Sequence, residues 1–265
     1  MQDSYQREIE YLRISLTDSC NLRCQYCMPE EGFPALDPSK ILSFEQILAV
    51  VKAAVSIGIF KYRLTGGEPL VRPNVPDLVA RMNEIEGVKI IAMTTNGVLL
   101  APLAQKLKDS GLQSVNISLD TLDPNFYTLI TRGGMIQKAL EGIDAAIQAG
   151  LDVKINMVMM GEKSRKELPL LQEFAQKKGI KLQTIAQYDL REMKSDNHPY
   201  DRPLPCSTCN RIRLMADGRI RTCLHSNDDH LIDFNDIVGT LKKAILAKPE
   251  HGTFSTDANV NLIGG

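Results

Sequence analysis

The 265-residue chain has little of what marks a membrane, secreted or nucleic-acid-binding protein. No apolar run approaches the roughly 20 residues that span a bilayer. Residues 1–8 lack the basic-then-apolar pattern of a signal peptide. Neither sign of charge dominates: 31 Lys and Arg stand against 32 Asp and Glu, for a net charge of -1. No global field therefore argues for nucleic acid or for a membrane surface. Internal repeats and low-complexity segments are missing. Cysteine is scarce, at six residues. In a chain of this length without an export signal, reduced thiols in the cytoplasm are expected rather than disulfides. What remains, 43% hydrophobic and 24% charged residues, describes an ordinary soluble core forming one large domain or two small ones.

The six cysteines fall into two triads, Cys20, Cys24 and Cys27 near the start and Cys206, Cys209 and Cys223 near the end. Iron–sulfur clusters are held by thiolates, and a cubane has four irons. Three close cysteines leave one iron open to a small molecule, so two triads suggest two clusters. Tightly spaced cysteines also bind zinc. That alternative is stronger at the second triad, where His225 can complete a Cys3His set.

Apolar runs alternate with helix-period segments. Strands are expected at 11–16, 61–64, 88–93, 114–118, 153–159 and 181–186. Helices are expected at 43–56, opened by a Ser43/Gln46 capping box, then at 75–83, 99–110, 137–149 and 164–178, the last opened by a Ser164/Glu167 box. Six βα-type units imply a parallel sheet with right-handed crossovers. The fold expected is α/β, an incomplete (β/α)6 TIM-type barrel over residues 1–188. A C-terminal Fe–S-binding extension follows over 189–265. Residues 189–205 read as a polar connection, Asp217-Gly218 as a hairpin turn, and 234–246 as a helix.

In parallel α/β folds ligands gather at the carboxyl ends of the strands. The unusual residues cluster there. After the second strand come Thr65, Gly66, Gly67, Glu68 and Pro69, where two glycines permit close backbone approach to a ligand and a carboxylate can meet an ammonium group. A glycine-requiring turn is the plain alternative. Thr94 to Gly97 also reads as a polar turn, and Ser118 to Asp120 as a cap for the next element. Lys154 lies in an apolar strand, facing either solvent or a pocket. Arg211 and Arg213 alternate, so both project from one strand face. Two guanidiniums beside an open iron make an anion site.

The spacing C-x3-C-x2-C with Tyr26 before the third cysteine resembles the radical S-adenosylmethionine (radical SAM) superfamily. More closely, the chain resembles the GTP 3′,8-cyclase family, also termed molybdenum cofactor biosynthesis protein A, in a compact form. The markers are residues 12–18, the first triad with Met28-Pro29, residues 63–70, 94–97, 116–120 and 154–156, the second triad with its arginines, and the final Gly264-Gly265. This resemblance implies two [4Fe–4S] clusters and SAM as cofactors, with Cys20, Cys24 and Cys27 holding the SAM cluster and Cys206, Cys209 and Cys223 the auxiliary one. It implies SAM contacts at Tyr26, Gly66, Gly67, Glu68 and Ser118. GTP contacts are implied at Arg13, Arg63, Thr94, Lys154, Arg211 and Arg213, and catalytic roles for Arg13, Arg211, Arg213, Gly264 and Gly265. A 5′-deoxyadenosyl radical would take the ribose 3′-hydrogen of GTP, and the sugar radical would add to guanine C8. An electron-donor protein and the next enzyme of molybdopterin synthesis are the implied partners. The chain departs from the family in two places: the family carries a longer segment where this chain has only 189–205, and Ala186-Gln187-Tyr188 replaces a glutamate and a methionine usual there. Other readings are a paralogue acting on another nucleotide or a peptide, and a zinc-stabilised binding protein without turnover.

Overall fold

A computed structural model describes residues 1–187 and 189–256. Six parallel strands form as expected: β1 Tyr11–Ser15, β2 Lys61–Thr65, β3 Ile90–Thr95, β4 Ser114–Ser118, β5 Asp152–Met159 and β6 Lys181–Ala186. Their spatial order follows the sequence, β6-β5-β4-β3-β2-β1, and every neighbouring pair is parallel. This is the order of a barrel wall, here left unclosed. The sheet continues past β1 into the C-terminal part of the chain. There β7 (Arg211–Leu214) pairs parallel to β1, and β8 (Arg219–Arg221) and β9 (Asp229–Leu231) follow antiparallel. Asp217-Gly218 makes the expected hairpin turn between β7 and β8.

Alternation along the strands separates two faces. Leu12 and Ile14, Tyr62 and Leu64, Val115 and Ile117, and Ile155 and Met157 are fully buried and form the apolar layer under the helices. Polar residues interleave with them and face the concave side. Covering helices are α1 Phe44–Ser56, α2 Val75–Asn83, α3 Ala104–Asp109, α4 Pro124–Thr131, α5 Ile136–Gln148, α6 Gly161–Lys178 and α7 Ile237–Leu246. The Ser43/Gln46 capping box is present with both hydrogen bonds, Gln46 N to Ser43 Oγ at 3.2 Å and Ser43 N to Gln46 Oε1 at 2.8 Å.

Four expectations need correction. Helix α3 starts at Ala104 rather than 99, because Pro102 disfavours helical backbone at the residue before it. Helix α4 has no counterpart among the expected helices, although Asp123 caps it by accepting from Asn125 N and Phe126 N, with Pro124 in the first turn. The Ser164/Glu167 box does not open α6, which begins at Gly161. Ser164 Oγ instead accepts from Met160 N at 2.9 Å, and the Glu167 carboxylate accepts from Thr121 Oγ1 at 2.6 Å, tying α6 to the loop after β4. Helix α7 starts at Ile237 rather than 234, capped by Asp236, and the three-residue strand β9 is too short for its pattern to show.

Ser43→Ala should remove one side of the α1 capping box and cost about 1 kcal/mol. It should lower the urea midpoint with the slope unchanged. An unchanged midpoint would mean that packing of the buried face of α1 already fixes the helix start.

Candidate active site

The loop after β1 carries the first cysteine triad and is held from three sides. Gly67 N donates to Thr17 O at 2.8 Å and Glu68 N to Ser19 O at 2.9 Å, so the Gly66-Gly67 backbone lies flat against the cysteine loop. A Cβ on Gly66 would stand 2.3 Å from Thr17 O, and one on Gly67 would stand 2.3 Å from Ser19 O. Only glycine fits this approach. On the second side, the end of α4 accepts from the loop through its last carbonyls, from Arg23 N at 3.2 Å and Gln25 N at 2.9 Å. Arg132, at the end of α4, donates to Met28 O at 2.7 Å. On the third side Asn96 Nδ2 reaches Asn21 Oδ1 at 2.7 Å and Cys20 Sγ at 3.8 Å.

Glu68 is fully buried but does not border the cavity in front of the triad. Its carboxylate accepts from Leu70 N at 3.0 Å, Thr95 Oγ1 at 2.8 Å and Asn96 N at 2.7 Å. Burial pushes it up to about 7 against those hydrogen bonds. These bonds fasten the loop after β3 beside the cysteines.

That cavity, of about 190 Å³, is bordered by Cys20, Cys24, Cys27, Tyr26, Gly66, Gly67 and Ser118. Tyr26 Oη donates to the buried Asp120 at 2.8 Å. All three cysteines are free thiols. Burial, then repulsion from Asp120 and Cys20, pushes Cys24 up to about 12, and burial likewise raises Cys27 and Cys20. Such a set ionises only against a strongly cationic partner. Among the described residues the sulfurs of neither triad lie mutually within 4.8 Å, whereas Asp196, Cys206 and His251 offer ligand atoms that do. A tetrahedral zinc site with bonds of about 2.3 Å needs sulfurs about 3.8 Å apart. The wider spacing of the first triad fits a multi-iron cluster better than a single ion.

The second cavity is larger, about 340 Å³, and each of β1 to β7 contributes to its wall. Strand register explains its charge. Lys61, Tyr11 and Arg211 form one row across β2, β1 and β7, and Arg63, Arg13 and Arg213 form the next. Thr94, Asn116 and Lys154 make a row across β3, β4 and β5. Arg13, Arg63, Thr94, Lys154, Arg211 and Arg213, picked out above from the sequence, thus all face this one space. Burial, then repulsion from Arg213 and Arg63, holds Arg13 down to about 9 even with Tyr11 beside it. Burial opposes ionisation of Tyr11, but Arg13, Arg63 and Arg211 outweigh it and bring the phenol to about 8; its oxygen accepts from Arg63 Nε at 2.9 Å.

Cys206, Cys209 and Cys223 border the same cavity. Here the field is reversed. Burial raises the Cys209 thiol, but Lys248, Arg211 and Arg213 overcome this and lower it to about 7. Arg7 ties this region together, donating to Cys206 O, Glu250 O and Pro249 O at 2.7–2.9 Å while paired with Asp3. His225 borders the cavity too; burial, then Lys194 and Arg213, hold its ring down to about 4. It joins no three-ligand group with the cysteines among the described residues. The structure adds residues that sequence reasoning misses: Arg202, Lys194, Tyr11, Asn116 and Asn156 in the cavities, and Arg7 and Lys248 behind the second triad. The strand-end polar residues Asn116 and Asn156 carry a local signal; the others depend on contacts distant in sequence. Gly264 and Gly265 lie outside the described residues.

The family model for the radical SAM superfamily matches residues 14–175. A GTP 3′,8-cyclase of Alkaliphilus oremlandii is 38% identical over 310 aligned positions, covering 98% of this chain and 96% of that protein. This chain is a radical SAM enzyme of the GTP 3′,8-cyclase family. A GTP 3′,8-cyclase of Petrotoga mobilis is 36% identical over the full length of both chains, and one of Pelotomaculum thermopropionicum is 56% identical over 60% of this chain and 50% of that protein. The 310 aligned positions exceed the 265 residues of this radical SAM enzyme, so the Alkaliphilus relative contains residues that it lacks. Among solved structures, Streptococcus suis SuiB bound to S-adenosylmethionine superposes with a TM-score of 0.69 at 15% identity, over 92% of this chain; the chain spans 65% of that protein's length. A structure of anSMEcpe with bound AdoMet gives 0.67 at 15% identity, covering 96% and 82%. These likenesses concern the fold. Membership implies one [4Fe–4S] cluster and SAM, and the thiol set and glycine cradle of the first cavity fit them. No helix among the described residues is long and apolar enough to cross a membrane.

The opposite fields at the two triads can be measured in iron-free protein. Alkylation proceeds through the thiolate. Cys209, lowered to about 7, should label with a rate that rises through pH 7 and levels above it, while Cys24, raised to about 12, stays slow at pH 8. Lys248→Met should move the Cys209 midpoint upward. Equal labelling of Cys24 and Cys209 at pH 8, read by mass spectrometry, would contradict the assignment of fields.

Proposed function

We propose that this enzyme converts GTP to (8S)-3′,8-cyclo-7,8-dihydroguanosine 5′-triphosphate in molybdopterin biosynthesis. The observation that carries the reading is the meeting of two cavities on one curled sheet. They share Thr94, Asn156 and Ile185. One is bordered by a cysteine triad and the Gly66-Gly67 cradle. The other is lined by eight lysines and arginines and, among the described residues, no carboxylate. A neutral small molecule or an ordinary peptide gives such a wall no counter-charge, whereas a triphosphate does.

In this reading Cys20, Cys24 and Cys27 hold the first cluster, and Tyr26, Gly66, Gly67 and Ser118 surround SAM. Cys206, Cys209 and Cys223 hold a second [4Fe–4S] cluster, supported by the wide spacing of their sulfurs and by cations that favour the Cys209 thiolate. When bound, the first cluster with SAM supplies a carbon radical that takes a hydrogen atom from the ribose, and the second supplies an iron open to the guanine. The chain's own residues do the positioning. Arg13, Arg63, Arg211 and Arg213 bind the triphosphate with bidentate geometry, and Lys154 adds a point charge. Thr94 and Asn156, common to both cavities, hold the sugar at their junction. A low-potential electron donor and an enzyme that consumes the cyclised nucleotide complete the set of partners.

Two experiments test this. Cys24→Ala should abolish 5′-deoxyadenosine formation with dithionite, while Cys209→Ala should keep uncoupled SAM cleavage and lose conversion of GTP under anaerobic turnover. Iron should fall from about eight to about four per chain in either variant. Product formation by Cys209→Ala at the wild-type rate would remove the second triad from substrate binding. Separately, Arg213→Ala should weaken GTP binding by about 10- to 150-fold, the equivalent of a charge-assisted hydrogen bond worth roughly 1.5–3 kcal/mol. Arg213→Lys should recover only part of this, because an ammonium lacks the fork. Wild-type GTP affinity in Arg213→Ala, measured by calorimetry, would remove the arginine row from the substrate site.

A further inference from the structure

The short connection between β6 and the second triad is not a passive linker. Arg202 N donates to Thr184 O at 3.2 Å, and Ala186 N donates to Arg202 O at 2.8 Å, a parallel bridge on the outer edge of β6. Asp201 locks this bridge. Its Oδ2 accepts from Thr184 N at 2.7 Å and from Thr184 Oγ1 at 2.9 Å, while Thr184 Oγ1 accepts from Asp201 N at 3.2 Å. Asp201 and Thr184 thus satisfy one another's polar groups at a strand edge that is otherwise open to solvent.

The consequence is the placement of Arg202. It borders the basic cavity and lies close enough to Arg211 and Arg63 to be repelled by both. Strands β6 and β7 are six steps apart in the sheet, so this proximity means that the curled sheet brings its two sides together around the cavity. Arg13, Arg211 and Arg213 approach from β1 and β7, and Arg202 approaches from the edge of β6. Tyr11 and Asp201 offset part of that repulsion, and an anion lying between the guanidiniums would offset the rest.

We propose that Arg202 is a ligand for the triphosphate and that the Asp201–Thr184 clip is the device that delivers it. The proposal rests on the reading of this cavity as a nucleoside triphosphate site. It assigns a binding role to the segment in which this chain departs from its family. Arg202 joins Lys154 on the β5–β6 flank and adds a guanidinium there, facing the arginines of β1 and β7 across the cavity.

The test uses anaerobically purified, iron-loaded enzyme and calorimetric titration with three probes: GTP, guanosine and inorganic triphosphate. Arg202→Ala should weaken GTP and inorganic triphosphate by about tenfold or more and leave guanosine unchanged, since only the phosphates meet the guanidinium. Arg202→Lys should recover part of the loss. Asp201→Ala should reproduce the Arg202→Ala defect, and Asp201→Asn should not, because an amide oxygen accepts the same bonds from Thr184. The double variant Asp201→Ala/Arg202→Ala should bind no worse than either single one, as expected when one residue acts through the other. GTP affinity at the wild-type level in Arg202→Ala overturns the proposal and leaves the GTP reading standing. Equal loss of guanosine and GTP affinity overturns it as well, since the residue then shapes the cavity rather than binding phosphate. Additive losses from the two positions overturn the clip. Wild-type enzyme that binds inorganic triphosphate but not GTP overturns the substrate reading, and the effect of Arg202→Ala on the inorganic anion then decides this one.

Discussion

Three arginines, Arg63, Arg13 and Arg213, stand side by side at one level of three neighbouring strands, and the design of the concave face follows from their repulsion. Adjacent strands are about 4.8 Å apart. Like charges directly opposite in a sheet are destabilising for this reason. Arg63 donates to Tyr11 Oη, Met93 O and Thr94 Oγ1, all of them neutral or weakly acidic acceptors. No carboxylate among the described residues borders the cavity. An aspartate there would neutralise the row and also occupy it. The fully buried layer of Leu12, Ile14, Tyr62 and Leu64 on the opposite face holds the same strands against the strain.

The two cysteine triads show how one ligand type is set in two environments. Around the first, burial and the nearby Asp120 discourage thiolates, so negative charge at Cys24 and Cys27 is tolerated only as part of a cluster. Around the second, Lys248 and the arginine rows lower Cys209. The arginines proposed to receive phosphate therefore also favour the Cys209 thiolate. Loss of one arginine should be felt at both, which links substrate binding to the second triad through the field alone.

Much of this is legible in the chain. The six strands follow from apolar runs, and the triads with the Gly66-Gly67 pair follow from spacing. The shared face of Arg211 and Arg213 follows from alternation alone. Arg13, Arg63 and Lys154 become candidates through family resemblance, because one basic residue in an apolar strand gives no hint of its register partners. Glu68 carries two readings in the sequence, because a carboxylate after two glycines looks the same whether it faces a ligand or a backbone amide. Arg202 is out of reach: it enters the cavity only because residues 201–202 pair with 184–186, a contact that no local pattern encodes. Helix α4 is a different case, since its Asp123-Pro124 start signal is present in the sequence but is overshadowed by the longer helix that follows.

A near-zero net charge coexists with eight cations converging on one cavity. The acidic residues that balance them are spent elsewhere. Asp229 pairs with Arg219 and Arg221, and other carboxylates sit on helix surfaces or cap helices. Screening over about 8 Å at physiological ionic strength separates those populations. A polyanion approaching the molecule therefore meets little long-range attraction, and its affinity should arise mainly inside the concave face, where register-matched arginines and reduced solvent make each charge count for more. Selectivity for a triphosphate over a generic anionic surface then follows from strand register rather than from composition.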